Sequence, residues 1–189
     1  MKVLKGALYS GRFISVFPGV LSSRMYLKCM NDICQRELEK YAEPLSVLSW
    51  LNGGKYDSNI LLAVWKKLLR NHPHDSICGV SIDDVHTDME KRFCEVLSLA
   101  KKIIKNKLTE LALSIDTSTG HKGTVPYIIF NSSLKARDKT ITIKTKGDSF
   151  KVIDSEGRIL PYQKGNKDSL HILVNNIPAA GYKTIYPVS

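Results

Sequence analysis

The sequence predicts an α+β protein: a three-helix bundle followed by the first strands of an antiparallel β-sandwich. Two observations carry this. From about Val20 to Ile115 the apolar residues recur at helical spacing, and from Val125 onward they alternate or come in short β-branched runs. A third, Ser118-Thr119-Gly120-His121-Lys122-Gly123, lies where the period changes and reads as a linker. The expected divisions are residues 1–19 as an extended lead-in, 20–117 as the bundle and 118–189 as an incomplete β-domain.

In the lead-in, Phe13-Ile14-Ser15-Val16-Phe17 has strand character and stops at Pro18-Gly19. A first helix then places Leu27, Met30, Cys34, Leu38, Tyr41 and Leu45 on one stripe. Pro44 must kink or restart it, because an interior proline removes a helix hydrogen bond. Asn52-Gly53-Gly54-Lys55 is a turn, and Ser58 is placed to cap a second helix with Leu61, Leu62, Trp65, Leu68 and Leu69 on its apolar face. That helix ends near Arg70, since Pro73 disfavours helical geometry at His72. Ser81 and Asp84 have the spacing of a capping box for a third helix. Its stripe runs through Ile82, Val85, Met89, Phe93, Leu97, Ala100, Ile104, Leu108, Leu111 and Ile115. Three one-sided stripes need one another to be buried, hence a bundle.

Strands are expected at residues 127–130, 140–144, 150–153, 159–162, 170–174 and 184–186, with Asp154-Ser155-Glu156-Gly157 as a hairpin turn. So few strands would leave a sheet face and an edge uncovered.

Composition narrows function only by exclusion. The 189 residues carry 28 Lys and Arg against 18 Asp and Glu, a formal charge of +10, and 43% hydrophobic residues. That supports a real core and argues against disorder as the main state. No apolar run approaches the roughly 20 residues of a bilayer-spanning helix. Residues 1–8 lack an apolar stretch of signal-peptide length, so a cytoplasmic location is expected. The charge invites a nucleic-acid reading, but the basic residues are dispersed and no recognition motif is present. A non-catalytic interaction module is the other alternative. The four cysteines, Cys29, Cys34, Cys78 and Cys94, are too few for a disulfide scaffold and read as buried reduced thiols. Cys29 and Cys34 lie about 140° apart around a helix and cannot clamp one metal from one face.

The segment richest in chemistry is Asn71-His72-Pro73-His74-Asp75-Ser76-Ile77-Cys78-Gly79-Val80, read as a loop between helices two and three. Imidazole and carboxylate are ordinary zinc ligands, yet the loop offers two or three at most. An extended His-x-His would point both rings the same way, and a turn would separate them. His86, His121 and His171 are read as isolated. On spacing alone a loop with solvent-facing histidines, Asp75 capping a turn and Asn71 closing a helix accounts for the same residues. A Cys-x2-Cys zinc finger is absent, and Cys78 has no evident base partner for nucleophilic chemistry.

Phe17-Pro18-Gly19-Val20-Leu21-Ser22-Ser23-Arg24-Met25-Tyr26-Leu27-Lys28, residues 71–79 and Ser81-Ile82-Asp83-Asp84-Val85-His86 resemble the middle helical region of glycoside hydrolase family 38, in its bacterial branch. Ile129-Phe130-Asn131, residues 154–163 and Ile177-Pro178-Ala179-Ala180-Gly181-Tyr182 resemble the start of that family's C-terminal β-region. These are zinc-dependent retaining α-mannosidases. The resemblance implies that His74 is a zinc ligand and that Asp75 contacts bound mannose. His72 is a candidate supporting residue, displaced from the usual position by Pro73, and Arg24 is a candidate brace of the loop or the substrate. Relatives often show Gly-Glu-Leu where this chain has Gly6-Ala7-Leu8. The remaining zinc ligands and the nucleophilic aspartate belong to an N-terminal α/β catalytic domain, which the resemblance places outside these residues. The expectation is therefore an internal piece of an α-mannosidase, without catalytic residues of its own, acting on a mannoside glycan or a small glycoside such as mannosylglycerate.

Overall fold

The computed structural model describes residues 17–118, 124–144, 151–166 and 168–188, with positions 3, 5 and 15. The strand expected at residues 13–17 therefore falls almost wholly outside the described residues, and Pro18–Leu21 form a 3-10 turn. The chain is α+β, with helices followed by antiparallel strands. Its contacts divide it into two compact units: residues 1–38 with 57–101, and residues 39–56 with 102–189.

The first unit is a helical bundle. It contains α1 (Met25–Glu37), α3 (Ser58–Leu69), the short α4 (His74–Cys78) and α5 (Asp83–Leu113) as far as Lys101. Leu27, Cys34 and Leu38, then Leu61, Val64 and Leu68, then Met89, Phe93, Val96 and Ala100 are its buried apolar residues. The steps are three, four or, from Leu27 to Cys34, seven, as a helix stripe requires. In α3 the sequence reading missed the face by part of a turn: Val64 is buried, while Leu62 and Leu69 are about half exposed. Asp57, not Ser58, is the N-cap residue of α3, and no side chain caps that helix. α5 begins at Asp83, so the residue before it is Ile82 and not Ser81. Ser81 instead meets the His86 Nε2 through its carbonyl oxygen, at 2.9 Å.

The stripe read along one long first helix is interrupted. Leu38–Ala42 form a π-turn that runs directly into α2 (Glu43–Leu51), with helical backbone at both Leu38 and Ala42, and Pro44, which has no N–H to donate, lies just past it. A π-turn takes in an extra residue and rotates the face that follows.

The second unit holds α2, the rest of α5 and six strands: β1 (Tyr127–Asn131), β2 (Arg137–Lys144), β3 (Lys151–Asp154), β4 (Tyr162–Lys164), β5 (Ser169–Ile177) and β6 (Gly181–Val188). They make two antiparallel sheets of order β1-β6-β3 and β2-β5-β4. Val152 and Ile185 from one sheet and Ile143, Leu170, Ile172, Val174 and Ile177 from the other share one core. Among the expected strands, 159–162 is the one that shifts. Ile159 makes a single bridge to Ile153, and β4 begins after Pro161, which has no N–H for a ladder. Asn131 draws together two of the family-like stretches: its Nδ2 donates to the carbonyls of Lys135, Ile177 and Pro178 at 2.9, 3.2 and 2.9 Å. Among the described residues no helix is long and apolar enough to cross a membrane.

Asp154 closes the hairpin turn. Its carboxylate accepts from the backbone N–H of Glu156 and Arg158 and from Arg158 Nε, at 2.9, 3.0 and 2.8 Å. Burial pushes this carboxyl up, but the Arg158 guanidinium and the two backbone donors together hold it below its ordinary 3.8. A lowered folded value means the stabilisation is complete above pH 3.8 and disappears as pH falls through that lower value. Asp154→Asn should cost about 2 kcal/mol at neutral pH, the size of a hydrogen bond to a charged group. It should also flatten the acid limb of the urea-unfolding profile below pH 4; an unchanged acid limb would show that Asp154 does not carry that linkage.

Candidate metal and substrate turn

Residues 71–80 are a connection with one short helix inside it, not an unbroken loop. His72 leaves α3, Pro73 turns the chain with φ −48° and ψ 139°, and His74–Cys78 form one and a half turns of helix. Gly79 ends it in the left-handed region, φ 81°, so that its N–H and that of Val80 reach back to Ser76 O and Asp75 O at 3.0 and 3.1 Å. Five residues give no periodicity to read, which is why the sequence shows a loop here.

The turn separates the two imidazoles. His72 Nε2 lies 2.6 Å from Asn31 Oδ1, and Asn31 Nδ2 donates to Gln35 Oε1, which leaves the Asn31 oxygen as acceptor and the His72 ring as donor. Burial lowers the His72 pKa from its ordinary 6.5. His74 faces solvent with 89% of its side chain exposed, and its Nε2 lies 3.4 Å from Asp75 Oδ1. Asn71, just before, is fully buried: its Nδ2 donates to Met89 O at 3.0 Å and its Oδ1 accepts from Arg92 Nε at 2.6 Å.

The far end of α4 is gripped by residues 23–28. Arg24 takes a left-handed backbone, φ 46°, at the start of α1. Its Nε donates to Gly79 O at 3.3 Å and its Nη2 to Asp83 Oδ1 at 2.6 Å. Ser23 Oγ donates to the same Gly79 carbonyl at 3.2 Å, and Lys28 Nζ donates to Ile77 O and Cys78 O at 2.9 and 3.2 Å. Every carbonyl from Asp75 to Gly79 thus has a donor, as a helix end requires. Lys28 and Ser23 were missed in the sequence. The glycine four residues beyond the His-Asp pair was the available signal for a helix stop there.

A His-x-Asp spacing is also present. His86 was read as isolated, yet it belongs to His86-Thr87-Asp88 on α5. The two ends face opposite ways, as residues two apart on a helix must. His86 is 1% exposed, with Nε2 against Ser81 O and a buried Nδ1 that has no partner, whereas Asp88 is exposed and pairs with Lys91 at 3.1 Å. They cannot hold one ion. The thiols also depart from expectation. Cys34 alone is buried, with burial pushing its pKa up to about 11. Cys78 is half-buried, and Cys29 and Cys94 are exposed.

As a donor set the turn fits zinc in part. It presents one imidazole and one carboxylate, both ordinary ligands, and among the described residues no cluster of three His, Cys, Asp or Glu exists. It can contribute to a metal shell without closing one.

Residues 15–111 match the model of the α-mannosidase middle domain. The chain belongs to that family. It carries the middle domain of a glycoside hydrolase family 38 α-mannosidase of the bacterial branch. Over 119 residues it is 35% identical to the "Putative mannosylglycerate hydrolase" of Halalkalibacterium halodurans, a match covering 63% of this chain and 13% of that one. Two solved structures from Enterococcus faecalis, an α-mannosidase and a protein of glycosyl hydrolase family 38, superpose on 90% of the chain, each with TM-score 0.70. Their identities are 25% and 26%, and the match spans 22% and 23% of their chains. This α-mannosidase middle domain thus represents a small share of each relative's length.

Gly79 combines a left-handed backbone with close neighbours. A Cβ there would lie 3.1 Å from Ser23 Oγ and 3.2 Å from Arg24 Cβ, on a left-handed backbone. Gly53 has the same hand, φ 86°, but open space around it. Gly53→Ala should cost about 1–2 kcal/mol for the backbone alone. Gly79→Ala should cost more than that in urea unfolding; equal losses would show that the Ser23–Arg24 contact yields freely.

Proposed function

We propose that this chain supplies part of the active site of a zinc-dependent retaining α-mannosidase, with His74 as one metal ligand and Asp75 as a carboxylate for the mannose hydroxyls. The observation that supports the reading most is that His74 stands exposed beside Asp75, while His72 and His86 are engaged by Asn31 and Ser81. When bound, zinc supplies Lewis-acid polarisation and orientation of sugar hydroxyl oxygens. Asp75 accepts hydrogen bonds from the sugar and helps fix the ring. Arg24 braces the turn through Gly79, and His72 supports it through Asn31. Retention needs a nucleophilic carboxylate and a second carboxyl acting as acid, then base. Neither role falls to a residue of this chain, and the reading assigns both to the α/β catalytic domain of the family. The enzyme would work in the cytoplasm, in keeping with four free thiols. A substrate as small as mannosylglycerate is the finer alternative, prompted by the name of the Halalkalibacterium halodurans relative.

The 189-residue chain alone should not turn over an aryl α-mannoside; turnover that His74→Ala abolishes would overturn this division of labour. Grafted in place of the matching region of the Enterococcus faecalis α-mannosidase, the chain should support zinc-dependent hydrolysis. In that enzyme His74→Ala should lower kcat/KM and zinc occupancy together, by more than the roughly 100-fold typical of residues that only support a ligand. Asp75→Ala should raise KM with zinc retained. Comparing kcat/KM for an aryl mannoside and for mannosylglycerate decides between the two substrate classes.

A further inference from the structure

We infer that Lys28 is the positioning residue of the His74–Asp75 turn, holding the C-terminal carbonyls of α4 so that its first turn presents imidazole and carboxylate together. The inference deepens the metal-ligand reading of His74 and rests on it.

Lys28 Nζ lies 2.5 Å from Ser23 O, 2.9 Å from Ile77 O and 3.2 Å from Cys78 O. An ammonium has three N–H donors, and three carbonyls use them all. Hydrogen bonds from a charged donor are about twice as strong as neutral ones. The location is otherwise unfavourable. Lys28 is the fourth residue of α1, close to the positive end of that helix, and no acidic residue stands in the first turn to offset it. The carbonyl end of α4 supplies the compensating negative charge.

α4 cannot hold its own shape. At five residues it is far below the length at which a helix persists alone, and its N-cap, Pro73, makes no side-chain capping bond. Among the described residues, His74 and Asp75 have no side-chain tether except their own 3.4 Å pairing. The constraint on them therefore enters at the opposite end of the helix. Ser23 and Arg24 hold Gly79 O, and Lys28 holds the two carbonyls before it. The ammonium reaches residues 49 and 50 positions along the chain, so it joins two segments that no local structure would bring together.

The test uses the labelled 189-residue chain and two variants, Lys28→Met, which keeps the apolar stem, and Lys28→Arg, which keeps donors. Three NMR readouts apply: amide exchange at Gly79 and Val80, N–H dipolar couplings of His74 and Asp75, and the shift of the His74 ring on adding zinc chloride. Lys28→Met should speed exchange at Gly79 and Val80 about tenfold or more, as expected for losing hydrogen bonds to a charged donor. It should change the His74 and Asp75 couplings, weaken the zinc response of His74, and leave core amides such as Leu27 and Phe93 protected. Lys28→Arg should restore most of each effect. Unchanged couplings in Lys28→Met, or exchange quickened equally in the core, would overturn the inference and leave Lys28 a stability residue. A wild-type His74 ring that ignores zinc while the Lys28→Met effects persist would overturn the zinc reading and support Lys28 as the residue that orients the turn.

Discussion

The satisfaction of five consecutive carbonyl oxygens, from Asp75 to Gly79, is the constraint on which the site depends. A helix of five residues leaves nearly all its carbonyls without an internal donor. Two are met by the chain itself, through Gly79 and Val80, and three by Lys28, Ser23 and Arg24. Bringing the segments this close demands a residue with no Cβ at 79 and a left-handed backbone at both 79 and 24. Arg24 accepts a conformation that costs about 1–2 kcal/mol. It holds there because its guanidinium is fixed at both ends, by Gly79 O and by Asp83 at the start of α5.

Much of the fold was legible because long stripes and period-two runs are redundant signals. Five of the six strands lie where alternation puts them, and α1, α3 and α5 lie where the helical spacing puts them. What failed were details set by a single residue or by packing. Val64 was passed over in favour of Leu62 and Leu69, since a leucine-rich helix offers more than one plausible face and only its neighbours choose. Ser58 and Ser81 look like caps, yet the residues that directly precede the two helices are Asp57 and Ile82, one position off in each case. Pro161 was overlooked as a ladder breaker, and the strand moved past it.

The candidate site was less legible than the fold. Histidine spacing cannot say which imidazole is free, because freedom depends on partners distant in sequence. His72 is engaged from 41 positions away by Asn31, and His86 is folded inward by the phase of α5. His171 sits on the β2-β5-β4 sheet, where its Nδ1 meets Thr142 Oγ1 at 2.9 Å. Among the described residues, His74 differs from these three in having only its own neighbour, Asp75, as a side-chain partner. The family resemblance named it; composition and spacing left it level with ordinary loop residues.

Placing the two side chains on a braced helical turn, not a loop, has an energetic consequence. Fixing one residue's backbone costs about 1–2 kcal/mol in conformational entropy. If the turn were ordered only when metal or sugar arrived, that cost would be subtracted from binding for each of its residues. Here the hydrogen bonds at the far end of α4 meet it at folding, before any ligand is present. A partial donor set gains most from this, because one imidazole and one carboxylate have little binding energy to spare. On the roles proposed for His74 and Asp75, rigidity supplied from residues 23–28 is what would allow so few donors to count.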